Sequence, residues 1–134
     1  MNTIELLGEE ETFRNIVERK ITEFEDNKID VIGDYAFYKC NTLTNVSFPK
    51  ATSIGDGAFQ SCSSLTTIYV GTNTSTVCTL SSTKAFNSCT NLTNIYVPAN
   101  LVDNYKSATN WSDYADKIKA YEQPVGWQRI CTHT

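Results

Sequence analysis

Five cysteines and one histidine are the side chains in this 134-residue sequence best suited to covalent or metal chemistry. Thiols act as nucleophiles, as redox pairs or as zinc ligands. Here they stand at Cys40, Cys62, Cys78, Cys89 and Cys131, an odd number with no Cys-x-x-Cys pair. That pattern fits neither a disulfide framework nor a zinc site, and free thiols are the default. A Ser-His-Asp or Cys-His centre needs its base held in place by a third group. The single histidine, His133, is the penultimate residue, so nucleophilic catalysis is not expected and no catalytic residue is assigned. The acidic run Glu9-Glu10-Glu11 reads as a helix start, where carboxylates oppose the helix dipole, and not as a metal-ligand set. The sequence also lacks a glycine-rich phosphate loop, His-Glu-x-x-His and calcium-loop spacing, so no cofactor or metal is expected.

Composition narrows the partners. The formal net charge is −4, and the eleven basic residues are scattered, which argues against direct nucleic-acid binding or attraction to an anionic membrane. No apolar run has the length of a signal peptide or a membrane span. The expectation is cytoplasmic synthesis without membrane insertion. Four Asn-x-Ser/Thr sequons, at Asn45, Asn73, Asn91 and Asn110, would matter only after secretion into a glycosylating host.

The elements that must position any surface are set by an internal repeat. Ile32-Gly33-Asp34-Tyr35-Ala36-Phe37-Tyr38-Lys39-Cys40, followed by Leu43, Val46, Phe48 and Pro49, returns twenty-two residues later as Ile54-Gly55-Asp56-Gly57-Ala58-Phe59 with Cys62, Leu65, Ile68 and Val70. A third copy carries Ala85-Phe86, Cys89, Leu92, Ile95 and Val97. It is delayed five residues by a Thr/Ser-rich insertion over 71–83, in which Leu80-Ser81-Ser82-Thr83 replaces the Ile-Gly step. Val46 and Phe48 alternate with polar residues, so their side chains point to one side of a strand. Ala36, Phe37 and Cys40 fit one face of a single helical turn, opened by Gly33-Asp34, where the aspartate can cap free N–H groups. One such coil cannot enclose its own apolar face, so coils must stack. Stacking at about 4.8 Å predicts a ladder of Phe37, Phe59 and Phe86 and another of Cys40, Cys62 and Cys89, the latter as small apolar filler.

These repeats resemble the BspA-like, or Treponema pallidum-type, leucine-rich repeats, with three coils matching over residues 29–98. The resemblance implies an α/β repeat solenoid, a short right-handed stack with a helical cap at each end. It also implies a binding role. The segment from Ile95 to Lys106, continued by 108–118, looks like the closing segment of small repeat proteins of this type in gut bacteria and their phages.

Four regions are expected. Residues 1–28 form an N-terminal helical cap, in which Phe13, Ile16 and Val17 are apolar and Arg19-Lys20 oppose the dipole, joined to a degenerate strand Ile21-Thr22-Glu23-Phe24-Glu25. Residues 29–98 form three repeats, and 99–120 a C-terminal helical cap. In that cap Pro98 ends the last strand, Leu101, Val102 and Tyr105 cover the stack, and Ser112 opens a second short helix with Trp111 and Ile118 as its apolar contacts. Residues 121–134 are expected to be a mobile tail. With both caps present, a complete small protein is the expectation.

What remains is surface. Four stacked strands put Glu23, Asn45, Thr67 and Asn94 in one outward column and Glu25, Ser47, Tyr69 and Tyr96 in the next. Tyr69 and Tyr96 offer large contact area at low entropy cost, or are only good strand formers stacked on each other. The functional expectation is a non-enzymatic protein-interaction or scaffolding module, phage-encoded and virion-associated or adhesive, with self-association as a further option. The alternative is an intracellular, anti-CRISPR-like inhibitor of a host enzyme or defence complex.

Overall fold

The computed structural model describes residues 14–121. Glu9-Glu10-Glu11, Phe13, Cys131 and His133, and with them the acidic half of the expected N-terminal cap and residues 122–134 of the expected tail, lie outside the described residues. The chain winds through two parallel sheets. The larger contains β1 (Glu23–Glu25), β3 (Asn45–Phe48), β5 (Thr67–Val70), β7 (Asn94–Pro98) and β8 (Ile118–Tyr121), in the order β1-β3-β5-β7-β8. The smaller contains β2 (Val31–Ile32), β4 (Ser53–Ile54) and β6 (Thr79–Leu80). Each strand pairs with its equivalent one coil on: Val46 opposes Ile68, Ile68 opposes Ile95, and Ile32 opposes Ile54.

Period-two alternation is why the larger sheet buries one face. Val46, Phe48, Ile68, Val70, Ile95 and Val97 are buried, as are Leu43, Leu65 and Leu92 at the corner before each strand. The phenylalanine ladder forms as the spacing predicts, with ring centroids 5.2 Å apart for Phe37–Phe59 and 5.6 Å for Phe59–Phe86, the rings nearly parallel. Phe24 adds an edge contact to Phe37 at 5.3 Å. Cys40 and Cys62 are fully buried and Cys89 partly so. The Cys62 thiol donates to the Phe37 carbonyl and the Cys89 thiol to the Phe59 carbonyl, 3.1 and 2.9 Å away, so each thiol ties its coil to the one before.

The expected helical turn at Ala-Phe-x-x-Cys is not a helix in the first two coils. The N–H groups of Ala36, Tyr38 and Cys40 turn back to carbonyls three residues earlier, while those of Tyr35, Phe37 and Lys39 cross to Asp56, Ala58 and Gln60 of the next coil. A helix would direct every N–H along its own axis. Alternating them instead stitches the coils together and requires left-handed backbone at Tyr35 (φ 57°), Lys39 (φ 62°), Gly57 (φ 63°) and Ser61 (φ 64°). Only the third coil forms a short 3-10 turn, Thr83–Phe86, capped by the Ser82 hydroxyl, which accepts from Lys84 N–H at 3.0 Å. Asp34 likewise caps differently from expectation: its carboxylate accepts the N–H of Asp56, one coil on, at 2.8 Å.

That contact brings Gly55 against Asp34. A Cβ on Gly55 would meet Asp34 Oδ1 at 2.4 Å, Asp34 N at 2.5 Å and Gly33 C at 2.7 Å, and two of those atoms are backbone. Overpacking of this kind costs about 1–3 kcal/mol. Gly55→Ala is therefore expected to lower the urea midpoint at unchanged m value, since the coils must separate to admit one methyl.

Inside the 71–83 insertion, Leu80 opposes Ile54 in β6 and takes the repeat's isoleucine position. The outer edge of β6 is closed by side chains from beyond the repeats. Tyr105 Oη accepts the Cys78 N–H at 2.8 Å, Trp111 Nε1 donates to the Cys78 carbonyl at 2.6 Å, and Asn110 Nδ2 donates to the Leu80 carbonyl at 2.7 Å. These groups answer the unpaired backbone that an edge strand otherwise exposes.

The C-terminal region departs from an all-helical segment. A 3-10 turn (Ala99–Leu101) leads into α1 (Val102–Ser107), and Trp111–Lys117 is 3-10 helical in two pieces that meet at a kink at Tyr114, the first preceded by Asn110 at φ 69°, so Ser112 lies inside it and is not its N-cap. Tyr105 and Trp111 are buried, and Leu101 and Val102 pack partly buried on the core. Ile118 is buried as expected, but on β8, and Tyr121 is the last residue of that strand and no part of a tail. At the other end Arg14–Glu18 is a π-helical turn with Ile16 buried. Arg19 and Lys20 follow its end and leave no basic residue in its last turn.

Candidate functional site

The outward columns of the larger sheet stand in the register the alternation predicts. Glu23 opposes Asn45, Asn45 opposes Thr67 and Thr67 opposes Asn94; Glu25 opposes Ser47, Ser47 opposes Tyr69 and Tyr69 opposes Tyr96. A fifth strand extends the second column, with Lys119 opposite Tyr96. Glu23 and Glu25 are exposed and Asn45, Ser47, Tyr69, Asn94 and Tyr96 half-buried, whereas Thr67, expected to face outward, is buried between its neighbours in the column.

Tyr69 and Tyr96 stack, their centroids 5.0 Å apart and planes inclined by 16°. Tyr121 meets Tyr69 edge-on at 5.8 Å. Each ring restrains its neighbour, so the cluster is held by its own contacts. Tyr121 was not among the residues expected here. Its signal was spacing: Ile118-Lys119-Ala120 lies twenty-three residues after Ile95-Tyr96-Val97, within one residue of the twenty-two-residue repeat, in a segment that otherwise reads as helix.

Two adjoining open depressions cross this face. One is bordered by Glu23, Glu25, Asn45, Ser47 and Tyr69, the other by Glu25, Ser47, Pro49, Tyr69, Thr72 and Tyr121. The inserted segment thus contributes Thr72 to the rim. Among the described residues neither Glu23 nor Glu25 belongs to an ion pair. At the opposite edge Lys119 Nζ donates to Thr93 O at 3.1 Å and to Asn94 Oδ1. It stands where a further repeat would bring a threonine hydroxyl, as Thr44 does to Thr22 O and Thr66 to Thr44 O, each at 3.1 Å.

The fully buried thiols offer little reactivity, in contrast to the half-buried Cys89, whose thiol is held below its ordinary value by the hydrogen bond with Cys62. Burial pushes Cys40 and Cys78 up to about 12, and Cys62 is raised by the neighbouring Cys89 thiol and by burial. A protonated thiol is a poor nucleophile and a poor ligand. Among the described residues no group of three or more His, Cys, Asp or Glu could hold a metal ion, and no helix is long and apolar enough to cross a membrane.

Comparison with known proteins agrees with the coil geometry. Among curated proteins none matches the chain. A family model described as a BspA-type leucine-rich repeat region of six copies matches residues 9–120, a span that reaches into β8 beyond the three coils read from the sequence. By that match and by its stacked, in-register coils, the chain belongs to the BspA-type leucine-rich-repeat family.

Proposed function

We propose that this chain is a non-enzymatic protein-binding module whose partner lies across the outward face of the five-stranded sheet, with Tyr69 and Tyr96 at the centre of the contact. Leucine-rich-repeat modules generally bind other proteins and as a rule are not enzymes, and the observation that carries the reading here is the stacked Tyr69–Tyr96 pair buttressed by Tyr121. Pre-stacked aromatics lose little side-chain entropy on binding, which is why such residues dominate interface energetics. Five strands span about 19 Å, and with strands under 20 Å long the sheet alone falls short of the roughly 800 Å² a standard interface takes from each side. The partner therefore also touches the Thr72 rim and Tyr121. The reading includes a right-handed stack, the usual sense for parallel strands joined by crossovers, closed at one end by α1 and the Trp111–Lys117 helix.

The test starts from a partner isolated from host extract and identified by mass spectrometry. Tyr69→Ala with Tyr96→Ala is expected to weaken its affinity about thirtyfold or more, the effect of losing a hot spot. Unchanged affinity in the folded double variant would remove the strand face from the interaction.

The setting we propose is a phage or prophage product that is virion-associated or adhesive, supported by the likeness of the 95–118 segment to closing segments of such proteins. An intracellular inhibitor of a host enzyme or defence complex is the alternative. Presence of the protein in purified virions favours the first, and its absence there together with relief of phage restriction on expression favours the second.

A further inference from the structure

The larger sheet ends in two edges of opposite charge. Among the described residues no strand pairs with the outer side of β1 or of β8, whereas the edge of β6 is closed by Tyr105, Asn110 and Trp111. An open strand edge is a template for another strand. On β1 the outward residues are the exposed carboxylates Glu23 and Glu25. On β8 the outward residue is the exposed Lys119, whose ammonium leans back to Thr93 O and Asn94 Oδ1 and would turn outward to meet a new strand; Lys117, half-buried and 3.9 Å from the exposed Asp116 carboxylate, comes two residues earlier at the end of the preceding helix.

The register makes these charges complementary. Glu25, Ser47, Tyr69, Tyr96 and Lys119 form one column across the sheet. A further parallel strand laid on β8 in the same register places its column residue opposite Lys119. If that strand is β1 of a second copy, Glu25 faces Lys119 and Glu23 falls in line with Lys117. The inward column continues as well, with Phe24 following Ile118. Opposite charges on directly opposed strand residues attract and like charges repel, so two β1 edges or two β8 edges disfavour each other.

We infer that a second copy of this chain docks head to tail, its β1 edge adding in parallel to β8 with Glu25 opposite Lys119. The contact uses different surfaces on the two copies, so it does not close at a dimer and is open to further addition. A strand edge this short buries far less than a standard interface, so the association is weak and salt-sensitive. The inference stands apart from the strand-face reading above, since it uses sheet edges and leaves Tyr69 and Tyr96 free.

Sedimentation velocity at low salt on the full chain, from micromolar to millimolar concentration, tests it with two charge-swapped variants. Glu23→Lys with Glu25→Lys makes both edges basic; Lys117→Glu with Lys119→Glu makes both acidic. The parent chain is expected to grow past dimer with concentration, each variant alone to stay monomeric, and an equimolar mixture of the two to regain association. A parent chain that is monomeric throughout, that stops at a dimer, or whose basic-edged variant associates as it does overturns the inference. Because Lys119 also donates to Thr93 O, the acidic-edged variant is checked by circular dichroism. Should it not fold, the basic-edged variant decides, since the exposed Glu23 and Glu25 carry no ion pair among the described residues.

Discussion

Phe59→Ala is expected to destabilise the fold by about 3–5 kcal/mol, the range for deleting a fully buried phenylalanine. Phe59 has no exposed surface and is the middle rung of the ladder, stacked on Phe37 on one side and Phe86 on the other and 6.2 Å from Phe48. The neighbouring backbone cannot collapse into the space. Phe37 N–H is bonded to the Ala58 carbonyl at 2.7 Å and Phe59 N–H to the Ala85 carbonyl at 2.8 Å, so the coil spacing is fixed from both sides of the cavity. Domains of this size hold about 5–15 kcal/mol in all, so the variant should unfold at a much lower urea concentration, with Phe59→Leu intermediate. A change under about 1 kcal/mol would mean that the rungs do not support one another.

Alkaline pH is expected to have an effect of similar size. Cys40 and Cys78 sit at about 12 in the folded chain, against an ordinary 9.0, because burial penalises the thiolate. Below pH 9 both states keep these protons and nothing is lost. As pH rises from 9 to 12 the unfolded chain releases protons that the folded chain retains, so stability falls by about 1.4 kcal/mol per thiol per pH unit. By about pH 11 the two together remove about 5 kcal/mol, which already matches the stability of a marginal domain. Tyr105, also raised to about 12 by burial, adds to the loss above pH 10. Urea midpoints measured at pH 8, 9, 10 and 11 should decline progressively. Cys40→Ala with Cys78→Ala should start lower and decline less steeply; a parallel decline would assign the alkaline sensitivity to other groups.

Both effects arise from the same construction. Side chains that recur along the sequence become neighbours across coils, so the core is a set of columns and each buried group is held by its equivalents above and below. The outward columns obey the same rule, which places Tyr69 beside Tyr96 and leaves unlike charges at the two ends of the sheet.

Much of this was legible in the sequence because the information is periodic and local. Alternation over Val46-Ser47-Phe48 states which side of the strand is buried, and a constant spacing between Phe37 and Phe59 states that they stack. The outward columns from Glu23 to Thr67 and from Glu25 to Tyr69 follow from those two periods alone, and Asn94 and Tyr96 join them once the five-residue delay of the third copy is allowed for. Where the spacing broke, the reading weakened. Leu80 takes the isoleucine position, but the insertion before it hides the correspondence until β6 is seen to pair with β4.

The tertiary structure decided what depends on partners distant along the chain. Asp34 could serve its own turn, and its bond to Asp56 N–H exists only because the coils approach closely enough to exclude a methyl at Gly55. The Ala-Phe-x-x-Cys segment has helical spacing, yet half of its N–H groups find better-placed carbonyls one coil away, and the backbone leaves the helix to reach them. Ile118-Lys119-Ala120-Tyr121 has no strong local preference and becomes a strand because β7 offers an open edge at its side. Local pattern sets which face of each segment is apolar, while the hydrogen-bond partner of a backbone group is set by what else is near it in space.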